Sequence, residues 1–531
     1  MKIKSITYEL MAVFTLLLAI IAPDASYGIG KDSCKNNGTF EIYTPRPKPQ
    51  PRINGPLVYG CRPGNPFLYR IPCQGEHPVN FSAKGLPKGL TLDPATGIIT
   101  GINPPQGEYI VTLKAKNEAG RAQRLFKIVS GETLALTPPM GWNHWYTHEW
   151  RVTDAIMREA ADIMIESGMA DVGYQYINLD ACWANTDKNN GRTQDPLHFG
   201  PLRDGQGNIL TNGHFPDMKG LVDYIHSKGL KAGIYSSPGP IDCAGFTGSY
   251  QHEAQDAHQF IAEWGFDFLK YDWCSYNEKV VKTADAKISL EEMQKPYILM
   301  GDLLRHQPRD VVFNLCQYGM GNVWEWGAKV GGQCWRTGGD LSVESDRIFE
   351  VALRNAEKGA FVGPGAWNDP DYLLFGKFVQ MIGNTWTKDQ PCKLSAEEQY
   401  SFMSLWCLLA APLILGGDIA QLDEFTLNVL CNPEVIDVDQ DPLGKSGLVI
   451  RKSDQSFLMV KDLADGSKAV GFFNQGKNAI EVAVNWDELK ISGKQLVRDL
   501  WRQKELGVYK QKFSVQVPPR GVVLVKINIS Y

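Results

Sequence analysis

The chain has 531 residues, 43% hydrophobic and 21% charged, with a net charge of −5. That length exceeds one ordinary core and calls for two to four domains, at least one of them large. The composition excludes wholesale disorder, and the lack of a basic excess argues against nucleic acid as a partner. Eleven cysteines are too sparse for a disulfide scaffold, and their odd number leaves at least one thiol without an intramolecular partner.

The first residues read as a targeting segment. Lys2 and Lys4 precede an apolar run from Met11 to Ala22, and small residues follow at Ala25, Ser26 and Gly28. The run is short of the about 20 residues a membrane span needs. Residues 1–28 are therefore expected to be a cleaved secretory signal, which makes the mature protein secreted or periplasmic and disulfides permissible. No other long apolar run follows, so no stable membrane insertion is expected after cleavage. Residues 29–55 are polar, with Pro45, Pro47, Pro49 and Pro51 at every second position, the composition of a stiff linker.

From 56 to 130 the signals are short strands and turns. Tyr109, Val111, Leu113 and Ala115 alternate with Ile110, Thr112, Lys114 and Lys116, the period-2 pattern of a half-buried strand. Asp93 to Gly97 is a turn cluster between the runs 90–92 and 98–100. This predicts a small β-sandwich. The segment from Gly85 to Gly101 resembles the immunoglobulin-like modules attached to secreted bacterial enzymes. No cluster of polar and aromatic residues marks a ligand site in it, so it reads as a spacer or docking domain.

From 135 to 440 short apolar runs alternate with amphipathic stretches. Eight runs read as strands: 140–145, 174–180, 231–237, 266–273, 311–316, 334–340, 365–371 and 411–418. Between them lie helices such as 153–167, where Ala155, Ile156, Ala160, Ile163 and Met164 are expected to share a face and Gly168 to stop the run. The alternation fits an α/β fold, a (β/α)₈ TIM barrel. From 441 to 531 short strands return. Asp465-Gly466 is a hairpin turn between 457–461 and 469–473, and 522–527 is a further strand, which predicts a C-terminal antiparallel β-sandwich.

In such a barrel the chemistry sits at the carboxyl ends of the strands. The residues there are Trp142 with Trp145, Asp180, Tyr235, Asp272, Gln317, Asp340, Asp371 and Asp418. One aspartate at such a place is commonly a cap or turn residue. Five on one rim point to paired acid and nucleophile carboxylates. Lys270 and Asp272, two apart on a strand, face the same side, so the lysine can keep the carboxylate ionised. Arg336 and Asp340 can flank one substrate. The nine histidines form no helical metal motif, and His144 and His148 read as structural or substrate-lining. Neither a nucleophile elbow nor a phosphate loop is present, so no metal and no cofactor are expected. Carboxylates without either point to glycoside hydrolysis and a carbohydrate substrate.

Four segments carry a family resemblance: Met140-Gly-Trp-Asn143, Lys270-Tyr-Asp-Trp-Cys274, Gly363-Pro-Gly-Ala-Trp-Asn-Asp-Pro-Asp371 and Asp439-Gln-Asp-Pro-Leu-Gly444. They resemble glycoside hydrolase family 27, the secreted α-galactosidases or melibiases, over residue 135 to the end. The resemblance implies a retaining exo-glycosidase acting on terminal α-D-galactosyl residues. It implies Asp272 as nucleophile and Asp340 as acid/base, with Trp142, Asp180, Tyr235, Lys270, Gln317, Arg336 and Asp371 binding the sugar, Trp142 by stacking. It also implies a disulfide between Cys243 and Cys274, with Cys316 and Cys334 as a second candidate pair. The chain departs from many relatives at Ala181, where a second aspartate stands, and at Gln317, where a glutamate stands. The loss at Ala181 keeps a β-L-arabinopyranosidase open. Gln317, Tyr318 and Met320 are too large for an acetamide, against an α-N-acetylgalactosaminide. A non-catalytic sugar-binding homologue is the alternative of another class, opposed by the presence of both Asp272 and Asp340. The oligomeric state is not legible.

Overall fold

Barrel strands alternate their side chains between the barrel interior and the surrounding helices. In the computed structural model, which describes residues 40–282, 288–379, 381–382, 385–386 and 390–529, eight short strands obey this rule. They are Met140–Asn143, Tyr176–Asn178, Lys231–Ser236, Phe268–Asp272, Val312–Cys316, Cys334–Arg336, Trp367–Asp369 and Leu413–Leu415. All are parallel neighbours in chain order, and the eighth pairs with the first. A bridge between Leu373 and Leu415 links the seventh strand's exit to the eighth and closes the ring. All eight expected strands are present, each within its apolar run. The expected signal segment, 1–28, lies outside the described residues.

The inward positions split into two layers. At the amino ends, Tyr176, Phe268, Val312, Cys334 and Trp367 form an apolar plug. Further along, the inward residues are polar: Asn143, Asn178, Tyr235, Lys270, Asp272 and Asn314. The outward residues Trp142, Ile177, Leu269, Tyr271, Phe313 and Trp335 join the main core under the helices. Gly141 leaves room for the plug: a Cβ there would stand 2.3 Å from the Tyr176 carbonyl oxygen.

Helices lie between the strands, and the first ends before Gly168 as expected; two features differ. Helix Asp154–Glu166 starts at Thr153, whose side chain accepts from the Ile156 amide. Its buried face is Met157, Ala160, Ala161 and Met164, while Ala155 is exposed and Ile156 and Ile163 are half-buried. Apolar residues lie nearly all round this helix, so periodicity left its phase open and packing chose it. Between strands five and six, 3₁₀ turns at Met320–Glu325 and Gly327–Val330 replace an α-helix, because Gly319, Gly321 and Asn322 take positive φ.

The N-terminal sandwich sits under the barrel. One sheet pairs Val58–Cys61, Gly120–Ser130, Gly107–Asn117 and Asn80–Lys84; the other pairs Pro66–Arg70, Ile98–Ile102 and Leu90–Leu92. Asp310, just before strand five, accepts from the Arg62 amide and from Asn65 and Asn103. Lys231, at the start of strand three, lies over the Tyr59 ring. Both contacts are at the amino ends of barrel strands, so the module covers the closed end. Residues before it also pack: Tyr43 stacks on Tyr400 at 4.4 Å, and Thr44 bonds Asn428 and Asn432.

The C-terminal sandwich joins a six-stranded sheet to the pair Ile480–Asn485 and Lys512–Val517. It docks on helix Ala396–Leu409, which is buried from Gln399 onward. Trp501 donates to Ser404, and the buried Lys461 ammonium donates to the Cys407 carbonyl. Replacing Gly141 by alanine forces a methyl into the plug; stability should fall by about 1–3 kcal/mol. An unchanged thermal midpoint by calorimetry would show that the plug has slack.

Candidate active site

The carboxyl ends of the strands surround a cavity of about 420 Å³. Asp180, Tyr235, Lys270, Asp272, Arg336 and Asp340 line it, together with Trp145, Tyr146, Arg192, Tyr318 and Tyr372. Lys270 is the centre of one half. Its ammonium lies 2.8 Å from Asp180 Oδ2 and 5.3 Å from the ring centres of both Tyr235 and Tyr372. Burial alone would discharge this lysine, but Asp180 holds its pKa well above the ordinary value. Asp180 also accepts from Asn143 and from the Ala181 amide. Burial works against its charge too, yet Lys270 and these donors keep its pKa low.

Asp272 has two unlike oxygens. Oδ2 accepts from the Tyr235 hydroxyl at 2.9 Å. Oδ1 is buried and has no aligned donor among the described residues. Burial raises the Asp272 pKa, while Lys270 pulls it back. Asp340 differs sharply: its side chain is 62% exposed, and Arg336 holds it at 3.2 Å. The same guanidinium contacts Asp371 at 3.0 Å, and it is itself 3% exposed. Asp371 is a strained residue, with φ of 109°. Tyr146 Oη and the Leu341 and Tyr372 amides donate to it. Burial, opposed by Arg336, lifts its pKa to about 6.

Three of the expected sugar contacts do not reach the cavity wall. Trp142 is fully buried with its indole N–H on the Gly417 carbonyl, because its strand phase points outward to the helices. Gln317, one residue past the inward Cys316, is fully buried and turns its Oε1 to the Gly319 amide. Asp371 stands behind Arg336. Asp418 caps the turn at Ile419–Gln421. Trp145, expected at a strand end, lines the cavity with Tyr146 and Tyr372, which the list of strand ends passed over although each directly follows a residue on it. His144 is buried and pushed down to about 4 by burial, so it stays neutral.

Cys243 and Cys274 form the disulfide, with Cα atoms 5.0 Å apart, beside Asp272. Cys316 and Cys334 are both free thiols. The register sets Cys334 opposite Asn314, two residues short of Cys316, and Cys334 instead accepts from Asn314. Asp195, His198 and His214 have ligand atoms within 4.8 Å of one another. None lines the cavity, and Asp195 already pairs with His214 at 2.7 Å.

Comparison with known proteins gives the family. A family model described as Alpha galactosidase A matches residues 137–441, and one for the alpha-galactosidase C-terminal β-sandwich matches 454–527. The chain belongs to this family. It is a glycoside hydrolase. An Ig domain model matches residues 51–131. The alpha-galactosidase of Cyamopsis tetragonoloba is 35% identical, covering 72% of this chain and 84% of its own. Alpha-galactosidase A of Cellvibrio japonicus is 33% identical, covering 75% and 93%. Alpha-galactosidase I of Mortierella vinacea superposes with a TM-score of 0.64 at 28% identity, covering 76% of this chain and 98% of its own. A candidate alpha-galactosidase/melibiase from Bacteroides fragilis reaches 0.79 at 35% identity, covering 90% and 98%.

Behind the disulfide, Asp242 is buried, and burial lifts its pKa to about 7 although the Phe246 and Ala244 amides donate to it. The unfolded chain ionises this group near pH 4, so folding retains a proton between the two values. Stability from this site therefore falls as pH rises from about 4 to 7, by at most about 1.4 kcal/mol per pH unit. Asp242→Asn keeps the acceptor oxygen and removes the titration. Its advantage in thermal midpoint over the parent should grow from pH 5 to pH 7; a constant difference would place the Asp242 titration elsewhere.

Proposed function

We propose that the cavity hydrolyses terminal α-D-galactosyl residues of oligo- or polysaccharides by double displacement, with retention. The single observation that carries this reading is Asp272: one oxygen fixed by Tyr235, the other without an aligned hydrogen bond among the described residues, in a cavity that also holds Asp340. The free oxygen attacks the anomeric carbon as the glycosidic C–O bond breaks. Asp340 gives its proton to the departing oxygen, and the glycosyl ester with Asp272 forms. Asp340 then takes a proton from water, whose oxygen attacks the anomeric carbon and frees Asp272.

The remaining residues position the sugar. Asp180 and Lys270 meet its hydroxyls as a charged pair whose ionisation is already secured. Arg336 meets the hydroxyl beside the reacting carbon and orients Asp340. Trp145, on the cavity wall, takes the stacking role that the family resemblance implied for Trp142. Gln317 and Asp371 act from behind, by holding the 317–319 turn and Arg336. Among the described residues no helix is long and apolar enough to cross a membrane. The N-terminal charge-and-apolar pattern and the Cys243–Cys274 disulfide together support a secreted or periplasmic location.

The testing experiment is a side-by-side rate comparison on aryl α-D-galactopyranoside and aryl β-L-arabinopyranoside. The galactoside should be preferred. Preference for the arabinoside would shift the reading to the second sugar, with Ala181 as the cause. Asp272→Ala should abolish turnover with the fold intact by circular dichroism. Asp340→Ala should lose about 10²–10⁴-fold on alkyl galactosides and less on activated aryl ones; equal losses would remove its acid role. Because only ionised Asp272 attacks, kcat/KM should fall toward acid through the raised pKa of Asp272. Lys270→Met should shift that limb to higher pH, and an unmoved limb would mean that Asp272 does not set it.

A further inference from the structure

The N-terminal module has a charge balance unlike the rest of the chain. Residues 51–131 carry ten Lys and Arg against four Asp and Glu, in a chain of net charge −5. Four of these ten residues contact the barrel domain. Arg52 and Arg124 pair with Asp437, the Arg62 amide bonds Asp310, and Arg70 donates to the Lys228 carbonyl. Four more, Lys84, Lys114, Lys116 and Arg121, lie exposed on the outer face of the four-stranded sheet, where Lys127 pairs with Glu108 at 3.0 Å.

The register shows how that face is built. Lys116 stands directly opposite Arg121, Lys114 opposite Gln123, and Thr112 opposite Leu125. On the other side Lys84 pairs with Thr112, Ser82 with Lys114, and Asn80 with Lys116. Lys84, Lys114, Lys116 and Arg121 are exposed, and none has an ion-pair partner among the described residues. Like charges directly opposed across a strand pair are destabilising, and Glu108, on the same face, pairs with Lys127 instead of relieving them. Leu125 is 63% exposed in the middle of the same face. A sheet that keeps four unneutralised cations around an exposed leucine has the features of a surface awaiting a polyanion with apolar faces.

We propose that this face binds a negatively charged polysaccharide, sulfated or uronate-bearing. The cations meet the anionic substituents, while Leu125 and the aliphatic lysine stems lie on the C–H faces of the rings. The face carries no aromatic side chain to stack on bases, which disfavours single-stranded nucleic acid. The choice of a polysaccharide rests on the glycosidase reading; the charged surface does not. Because the module covers the closed end of the barrel, binding tethers the enzyme and leaves the cavity open.

Affinity electrophoresis of the full mature chain tests this, in gels holding a sulfated galactan, polygalacturonate or neutral galactomannan. The wild type should be retarded by at least one polyanion at 25 mM salt, not by galactomannan, and released at 300 mM as the charges are screened. Whichever polyanion retards it identifies sulfate or carboxylate. The variant K84Q/K114Q/K116Q/R121Q should bind at least tenfold more weakly while keeping its kcat/KM on an aryl galactoside. No retardation by either polyanion, equal retardation of the variant, or tighter binding to duplex DNA would overturn the proposal. Retardation by an enzyme inactive on every aryl glycoside would leave this surface standing and remove the glycosidase reading instead.

Discussion

A lysine ammonium can sit inside a protein only when its charge is matched and its donors are used. Lys270 meets that condition through Asp180, with the rings of Tyr235 and Tyr372 on its flanks. The arrangement around it follows. Asp180 is held by Asn143 from strand one and by Lys270 from strand four, so the pair ties separate parts of the barrel together. Tyr235 serves twice, facing Lys270 with its ring and Asp272 with its hydroxyl. Asp272 can remain buried because a cation stands two residues before it on the same strand face. Removing Lys270 would leave Asp180 and Asp272 buried without the cation that favours their ionised forms.

The opposite half of the site uses the same logic with arginine. Arg336 is buried, and its guanidinium spans a buried carboxylate and an exposed one. The buried partner, Asp371, holds a backbone conformation that few residues adopt, paid for by several hydrogen bonds. One carboxylate is thus an anchor and the other stands free at the mouth. The two proposed catalytic groups inherit contrasting environments from this construction. Asp272 is buried at the cavity wall with one oxygen lacking an aligned donor, whereas Asp340 reaches solvent.

Both ends of the barrel depend on where charge is permitted. At the amino ends the inward side chains are apolar and fill the ring; the N-terminal module closes what remains. At the carboxyl ends the ring opens and the polar layer begins. The module's own charges are divided in a similar way: Arg52 and Arg124 pair with Asp437 of the barrel domain, while Lys84, Lys114, Lys116 and Arg121 on the far sheet face have no ion-pair partner among the described residues.

The architecture was legible in the sequence because its periods are strong: eight apolar runs with helical stretches between, and alternating strands at both ends. The chemistry-bearing pair was legible too, since Lys270 and Asp272 sit two apart on a strand and must share a face. Strand ends could not tell an inward residue from an outward one a single position away. That is why Trp142 and Gln317 were read as wall residues, although the pleat turns one toward the helices and the turn after strand five hides the other. The same limit applied to Cys316 and Cys334, whose separation depends on register between strands. The helix at 154–166 has apolar residues on most sides, so only its neighbours could select the buried stripe. The basic face of the module is also a product of pairing: its four cations are spread over three strands, and sequence distance conceals their adjacency. What the sequence determined alone is whatever repeats along one strand or helix; which residues meet across strands was decided by the closed ring and its register.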